Sequence, residues 1–311
     1  MKQDVARTGT AGLVFPGAGI APSGYEAQFF NRHAGLMGPL MARSSEFTGT
    51  DLEAALTMDG MDGLDALSTQ VFTYAYSLGM NKVLLSKGVV PVLVAGHSLG
   101  IYAALAAARC VSFEDGLALV KTAYDLATTA CQSRDCGMLA TAGLTLTEVD
   151  EILGRLAAPT LLRVITNSSM SQVVAGDLKA LEAFEKAARD ADATRILWLD
   201  REVAYHHPTF LAKACGDFAK AMAGIEFKDP AVPIISSLNA DTLTTADQAR
   251  DFTVQNLSSP IDWRAVLLAF GKRGVETVFE TGPGTTLTRM GRFVDTAFSY
   301  LNVKKISRRG G

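Results

Sequence analysis

Apolar residues along this chain fall into short solid runs and longer helical rhythms, and their alternation predicts layered α/β structure. Residues 12–16, Gly-Leu-Val-Phe-Pro, run into Gly17-Ala18-Gly19 and predict a buried strand entering a turn. Residues 67–87 carry apolar positions at helical spacing and end at Gly88. Residues 89–95, Val-Val-Pro-Val-Leu-Val-Ala, are continuously apolar and lead into Gly96-His97-Ser98-Leu99-Gly100. The alanine-rich stretch 101–109 is strongly helix-forming. A strand, a tight glycine turn and a helix therefore meet at Ser98, and a further helix is expected over 116–131.

Between residues 137 and 200 the rhythm changes. Strands are expected at 138–142, 162–166, 172–175 and 195–199, with helices at 147–156, capped by Thr147, and at 178–191. The order β-α-β-β-α-β is the split ferredoxin-like pattern. The larger α/β pattern then resumes, with a helix from Pro208, a strand at 232–236, a helix at 263–273 and a strand at 278–280 before Gly282-Pro283-Gly284. The expected architecture is an α/β-hydrolase-like large domain, residues 1–134 and 202–311, with an inserted ferredoxin-like (α+β) small domain over 135–201.

Composition narrows the function classes. The chain has 311 residues, 48% hydrophobic and 20% charged, which fits a globular protein of two structural units. Its 29 basic and 32 acidic residues argue against a general nucleic-acid binder. No apolar run approaches the roughly 20 residues of a membrane span, and residues 1–10 lack a signal-peptide core. A cytoplasmic, non-membrane protein is expected. Cys110, Cys131, Cys136 and Cys215 show neither zinc spacing nor a C-x-x-C pair, so free thiols and no metal are expected. Gly17-Ala18-Gly19 lacks the downstream glycine of a dinucleotide fingerprint.

The chemistry centres on Gly96-His97-Ser98-Leu99-Gly100, which matches the nucleophile elbow G-x-S-x-G. A serine at a sharp strand-to-helix turn projects its hydroxyl outward, and the flanking glycines remove side chains that would clash there. The helix N-terminus behind it offers N–H groups to a developing oxyanion. Such a serine needs a base, and the chain has four histidines: His33, His97, His206 and His207. His97 abuts the serine and is expected to pack under the turn; His33 is expected at the surface. His206 and His207 lie at an element boundary before Pro208, and only one of them is expected to face the site.

Phe15-Pro-Gly-Ala-Gly19, Gly96-His-Ser-Leu-Gly100, Ala204-Tyr-His-His-Pro208 and Gly282-Pro-Gly284 resemble, in order, the signature segments of malonyl-CoA:acyl-carrier-protein transacylases and polyketide-synthase acyltransferases. Asn167-Ser-Ser-Met-Ser-Gln-Val-Val-Ala-Gly176 is similar to that family's small-domain hairpin. The resemblance implies a ping-pong acyl transfer. Ser98 would form an acyl ester from a thioester of CoA or of a carrier protein, and a carrier-protein phosphopantetheine thiol would take the acyl group. It implies His206 as base and then acid, held by main-chain carbonyls rather than by an acid in a Ser–His dyad, with Gln255 helping to orient it and backbone N–H groups of Leu99 and Ala18 as the oxyanion hole. His207 would be structural or face the substrate. No bound cofactor is implied.

The chain departs from the family pattern twice. Ala18 stands where glutamine is usual, and Ala123 stands where the family places the arginine that pairs with a malonyl carboxylate. A buried carboxylate without a partner costs several kcal/mol, so malonyl is expected to be disfavoured at least about a hundredfold unless another cation substitutes. Lys121, two positions away, is expected to be solvated. With Tyr205 and His207 as further walls, Ala18 and Ala123 would give a pocket for a neutral or unusual, larger and partly polar acyl group. The expectation is therefore a discrete, monomeric, non-malonyl acyltransferase acting on an acyl carrier protein in polyketide or fatty-acid-like synthesis. The alternatives are a thioester hydrolase of the same fold that proofreads carrier proteins, a malonyl transacylase with a substitute carboxylate ligand, and a silent docking subunit. Arg289, Arg292, Lys304, Lys305, Arg308 and Arg309 cluster toward the C-terminus as an expected dock for an acidic carrier, led by Arg289 and Arg292.

Overall fold

The computed structural model describes residues 9–19, 21–56 and 63–309. The first apolar run becomes β1 (Ala11–Phe15), buried at every position, as a strand covered on both faces must be. Helices α1 (Glu26–Arg32), α2 (Ala34–Thr48) and α3 (Ala66–Ser86) lead to β2 (Pro91–Gly96), α4 (Gly100–Ala107) and α5 (Phe113–Cys131). Asp65 caps α3 by accepting from the Ser68 N–H, and Ser112 caps α5 in the same way through Asp115. Next come β3 (Cys136–Ala142), α6 (Leu146–Leu156), β4 (Leu162–Ser168), β5 (Ser171–Asp177), α7 (Leu178–Asp190) and β6 (Arg195–Asp200). The chain returns through α8 (Ala212–Ala221), β7 (Ile234–Ile235), β8 (Thr242–Leu243), α9 (Ala246–Asn256) and β9 (Ile261–Asp262). It ends with α10 (Trp263–Lys272), β10 (Thr277–Glu280), α11 (Thr286–Gly291), β11 (Ser299–Leu301) and α12 (Val303–Arg309).

Two sheets organise these elements. The six-stranded sheet has the order β11-β10-β1-β2-β7-β8, parallel except where β8 turns back on β7. The second sheet has the order β6-β3-β5-β4-β9. Its first four strands carry the ferredoxin-like connectivity, and α6 and α7 cover one face with a core of Leu139, Val149, Ile152, Leu181 and Phe184. The fifth strand was not expected. β9 pairs in parallel with β4, Ile165 opposite Ile261, so chain from beyond residue 201 completes the smaller sheet.

Three sequence expectations shift locally. The cap of α6 is Thr145, in a capping box with Glu148, rather than Thr147. The helix expected from Pro208 starts at Ala212, because the Phe210 N–H is taken by His207 Nδ1 and held as a turn. The strand expected over 232–236 is reduced to Ile234–Ile235. The four cysteines are free thiols. Among the described residues no helix is long and apolar enough to cross a membrane.

Candidate active site

Phe15 and Gly96 are register partners at the carboxyl ends of the adjacent parallel strands β1 and β2. Ligands in open α/β sheets sit at such strand ends. From Gly96 the chain reverses into α4, and Ser98 takes a left-handed backbone, φ 52°. That turn is possible only with glycine on either side. A Cβ on Gly96 would collide with the backbone of Gly100 and Ile101, and one on Gly100 with the Phe15 carbonyl. The His97 N–H donates to Phe15 O at 2.9 Å, fastening the elbow to β1.

Ser98 Oγ lies 2.8 Å from His206 Nε2. His206 comes from the segment after β6 and is also left-handed, φ 64°. Its N–H donates to the Leu257 carbonyl, and its Nδ1 donates to the Asn256 carbonyl at 2.8 Å. A carbonyl only accepts, so the proton resides on Nδ1 and Nε2 keeps a lone pair for the serine hydroxyl. Burial is the main cause of a pKa lowered to about 4, with the nearby His97 ring acting in the same direction and the Asn256 carbonyl opposing. The imidazole is therefore a neutral acceptor near neutral pH.

Gln255 does not orient this ring. It is exposed, and its carbonyl accepts from the Ser258 and Ser259 N–H groups. The partner is the main chain of the next residue, because the end of α9 turns the Asn256 carbonyl inward. His207 takes the structural one of its two expected roles and is not a pocket wall. It is buried away from the pocket, its Nε2 donates to the Thr160 carbonyl at 2.9 Å and its ring stacks on Phe210 at 3.8 Å. His97 lies under the elbow, with Nε2 2.9 Å from Asn167 Oδ1 on β4 and its ring edge-on to Trp263.

Above Ser98 opens a pocket with about 390 Å³ of empty space, mouth included. Ala18, Leu99, Ala123 and Tyr205 line it, as the sequence suggested. Neither the Ala18 nor the Leu99 N–H meets an acceptor among the described residues. Gln70, Tyr102, Tyr124 and Leu257 also line it, and sequence reading missed them. Tyr102 had a signal, one helical turn beyond Ser98; Gln70 and Leu257 had none, since they arrive from distant elements. Among the described residues no lysine or arginine lines the pocket. Lys121 is half exposed and paired with Asp125 one turn along α5.

The basic residues near the C-terminus divide. Arg292, Lys305 and Arg308 share a groove beside β11 with Phe298 and Tyr300. Lys304 and Arg308 lie over the Tyr25 ring, and Arg289 is exposed outside the groove with Nη2 on Thr286. The side chain of Arg309 lies outside the described residues.

Residues 46–305 match the family model for the acyl transferase domain. The chain is 30% identical over 288 residues to the malonyl CoA-acyl carrier protein transacylase of Salmonella typhimurium, covering 91% of this chain and 93% of that protein. It is also 30% identical to part of the polyketide biosynthesis protein ThaF of Burkholderia thailandensis, over 89% of this chain and 23% of ThaF. Among solved structures it is similar to a complex of a type II PKS acyl-carrier protein with its malonyl-transacylase, with TM-score 0.86, 28% identity and coverage of 94% and 95% of the two chains.

Proposed function

The chain belongs to the acyl transferase domain family and is an acyltransferase, and from that premise we propose that it moves a neutral acyl group between thioesters through an ester on Ser98. The observation that carries this reading is the Ser98–His206 contact at 2.8 Å, with the ring's other nitrogen held by a main-chain carbonyl. As the hydroxyl attacks the thioester carbonyl, its proton passes to His206 Nε2. The N–H groups of Ala18 and Leu99 receive the negative charge on the carbonyl oxygen. The carbon–sulfur bond breaks, His206 protonates the leaving thiolate, and the acyl group remains on Ser98. An incoming thiol then gives its proton to His206, attacks the ester and leaves with the acyl group, and the Ser98 hydroxyl is restored.

The donor is a thioester of CoA or of a carrier protein and the acceptor is an acyl carrier protein, as the names of the relatives suggest. Docking is assigned to Arg289 and Arg292. If that is right, charge reversal at either slows transfer but leaves acyl-Ser98 formation intact. The separate core of Leu139, Val149, Ile152, Leu181 and Phe184 under α6 and α7 supports the division into 1–134 with 202–311 and 135–201, although β9 joins the smaller sheet from outside those bounds and that sheet's other face shares the large domain's core.

Neutral specificity rests on Ala123 and on a pocket lining that holds no cation among the described residues. The malonyl activity named for the Salmonella relative supports a second reading, a malonyl transacylase with another carboxylate ligand. Mass spectrometry of the enzyme after incubation with malonyl and neutral acyl thioesters separates them: the first reading expects acyl-Ser98 from neutral donors and fails on efficient malonyl loading. Adding carrier protein to the acyl-enzyme and comparing acyl-carrier with free acid distinguishes transfer from hydrolysis.

A further inference from the structure

Beyond Ser98 the pocket lining sets uncharged hydrogen-bonding groups, incompletely paired among the described residues, into a largely apolar wall of Ala18, Leu99, Ala123 and Leu257. Tyr102 on α4 is 3% exposed and lines the pocket, yet its hydroxyl has no hydrogen-bond partner among the described residues. Gln70 on α3 is 8% exposed, and among the described residues its side chain makes one hydrogen bond, a long 3.4 Å one from Nε2 to the Tyr205 hydroxyl, with Oε1 accepting none. Tyr124, beside Ala123 on α5, adds a third phenol. Burial pushes the Tyr102 and Tyr205 phenols far above their usual range, so both remain protonated donors.

A hydrocarbon chain filling this space would displace water from Tyr102 and Gln70 and leave their polar atoms unpaired. Leaving one buried donor or acceptor unsatisfied costs about tenfold or more in binding. Sites built to hydrogen-bond a substrate oxygen reject the analogue that lacks it. A carboxylate fares no better, because phenols and an amide do not neutralise a buried charge.

We propose that the site selects acyl groups bearing an uncharged oxygen on the chain, a hydroxyl or a ketone, and that Tyr102 and Gln70 determine this specificity. The inference rests on the acyl-Ser98, neutral-pocket reading above. Loading forms the Ser98 ester, breaks the carbon–sulfur bond and sends the proton through His206 to the leaving thiol, as for any acyl group.

The test compares acyl-Ser98 formation from butyryl, 3-hydroxybutyryl, acetoacetyl and malonyl pantetheine thioesters by mass spectrometry at early times. The unaltered enzyme is expected to load both oxygenated donors at least about tenfold faster than butyryl. In Tyr102→Phe, which removes a single oxygen, and in Gln70→Leu, that ratio is expected to fall toward one. Equal loading of butyryl and 3-hydroxybutyryl by the unaltered enzyme, or an unchanged ratio in both variants, overturns the inference and leaves the neutral-pocket reading standing. Fastest loading from malonyl overturns the reading beneath it. Thermal melting of both variants separates a lost preference from a lost fold.

Discussion

Ser98 and His206 both occupy left-handed backbone, a conformation that non-glycine residues hold only where surrounding structure enforces it. The serine is held there by the elbow, and the histidine by two carbonyls of the Asn256–Leu257 turn. Removing either side chain should stop the chemistry. Ser98→Ala is expected to yield no acyl-enzyme, and His206→Ala to lower kcat/KM by about a thousandfold or more, both read from transfer kinetics. The pH profile follows from the ring's burial. Nε2 accepts a proton only when neutral, and its pKa is lowered to about 4. kcat/KM should stay level from about pH 8 down to about pH 5 and fall below that; an inflection near the ordinary histidine value would mean that the ring is solvated. Gln255→Ala should change kcat/KM by less than about twofold, since that side chain is exposed and only the neighbouring main chain holds the ring.

At the scale of elements, the turn from β2 into α4 was readable because its constraint is local. Strand, glycine, serine, glycine and helix are contiguous, and no distant residue is needed to identify a nucleophile elbow. What the glycines avoid is less local. Gly100 leaves room for the carbonyl of Phe15 on β1, so Gly100→Ala is expected to cost about 2 kcal/mol or more, seen as a lowered Tm and a smaller soluble yield. α6 and α7 were likewise legible, since each covers a core with one apolar face. The cap of α6 was placed two residues late because threonines stand at both 145 and 147, and only the reciprocal bond with Glu148 distinguishes them. β9 and β11 span two and three residues. Strands so short carry no periodicity and exist only through the partners they meet.

Across the whole molecule the two sheets are tied through the catalytic region itself. His97, adjacent to Ser98, is bound to Asn167 of β4, and His207, adjacent to His206, is bound to Thr160 before that strand. Asn167→Ala leaves the His97 ring without its partner. It is expected to cost about 1–3 kcal/mol of stability and to lower kcat more than it raises KM, measured by melting and by transfer kinetics. Burial lowers the pKa of His97, His206 and His207 alike. Below the ordinary histidine value the unfolded chain takes up protons that the folded chain refuses, so stability rises with pH in that window and is lost as pH falls through it. Tm should therefore decline between about pH 6.5 and pH 4, and less steeply in His207→Gln than in the unaltered chain.

The sequence alone determined the longer strands and helices of both units, the ferredoxin-like insertion and the elbow serine, because each is written in contiguous residues or simple periodicity. Tertiary structure decided the rest. It turned His206, the histidine the resemblance named, toward Ser98 and its neighbour away, since adjacent side chains diverge and the residues alone do not say which faces the serine. It identified Asn256 as the residue whose main-chain carbonyl anchors the histidine, since no side-chain pattern reports which carbonyl turns inward. It also walled the pocket with Gln70, Tyr102 and Tyr124 from three helices. Which buried faces converge on one cavity depends on how helices dock, and helical period alone carries no record of that.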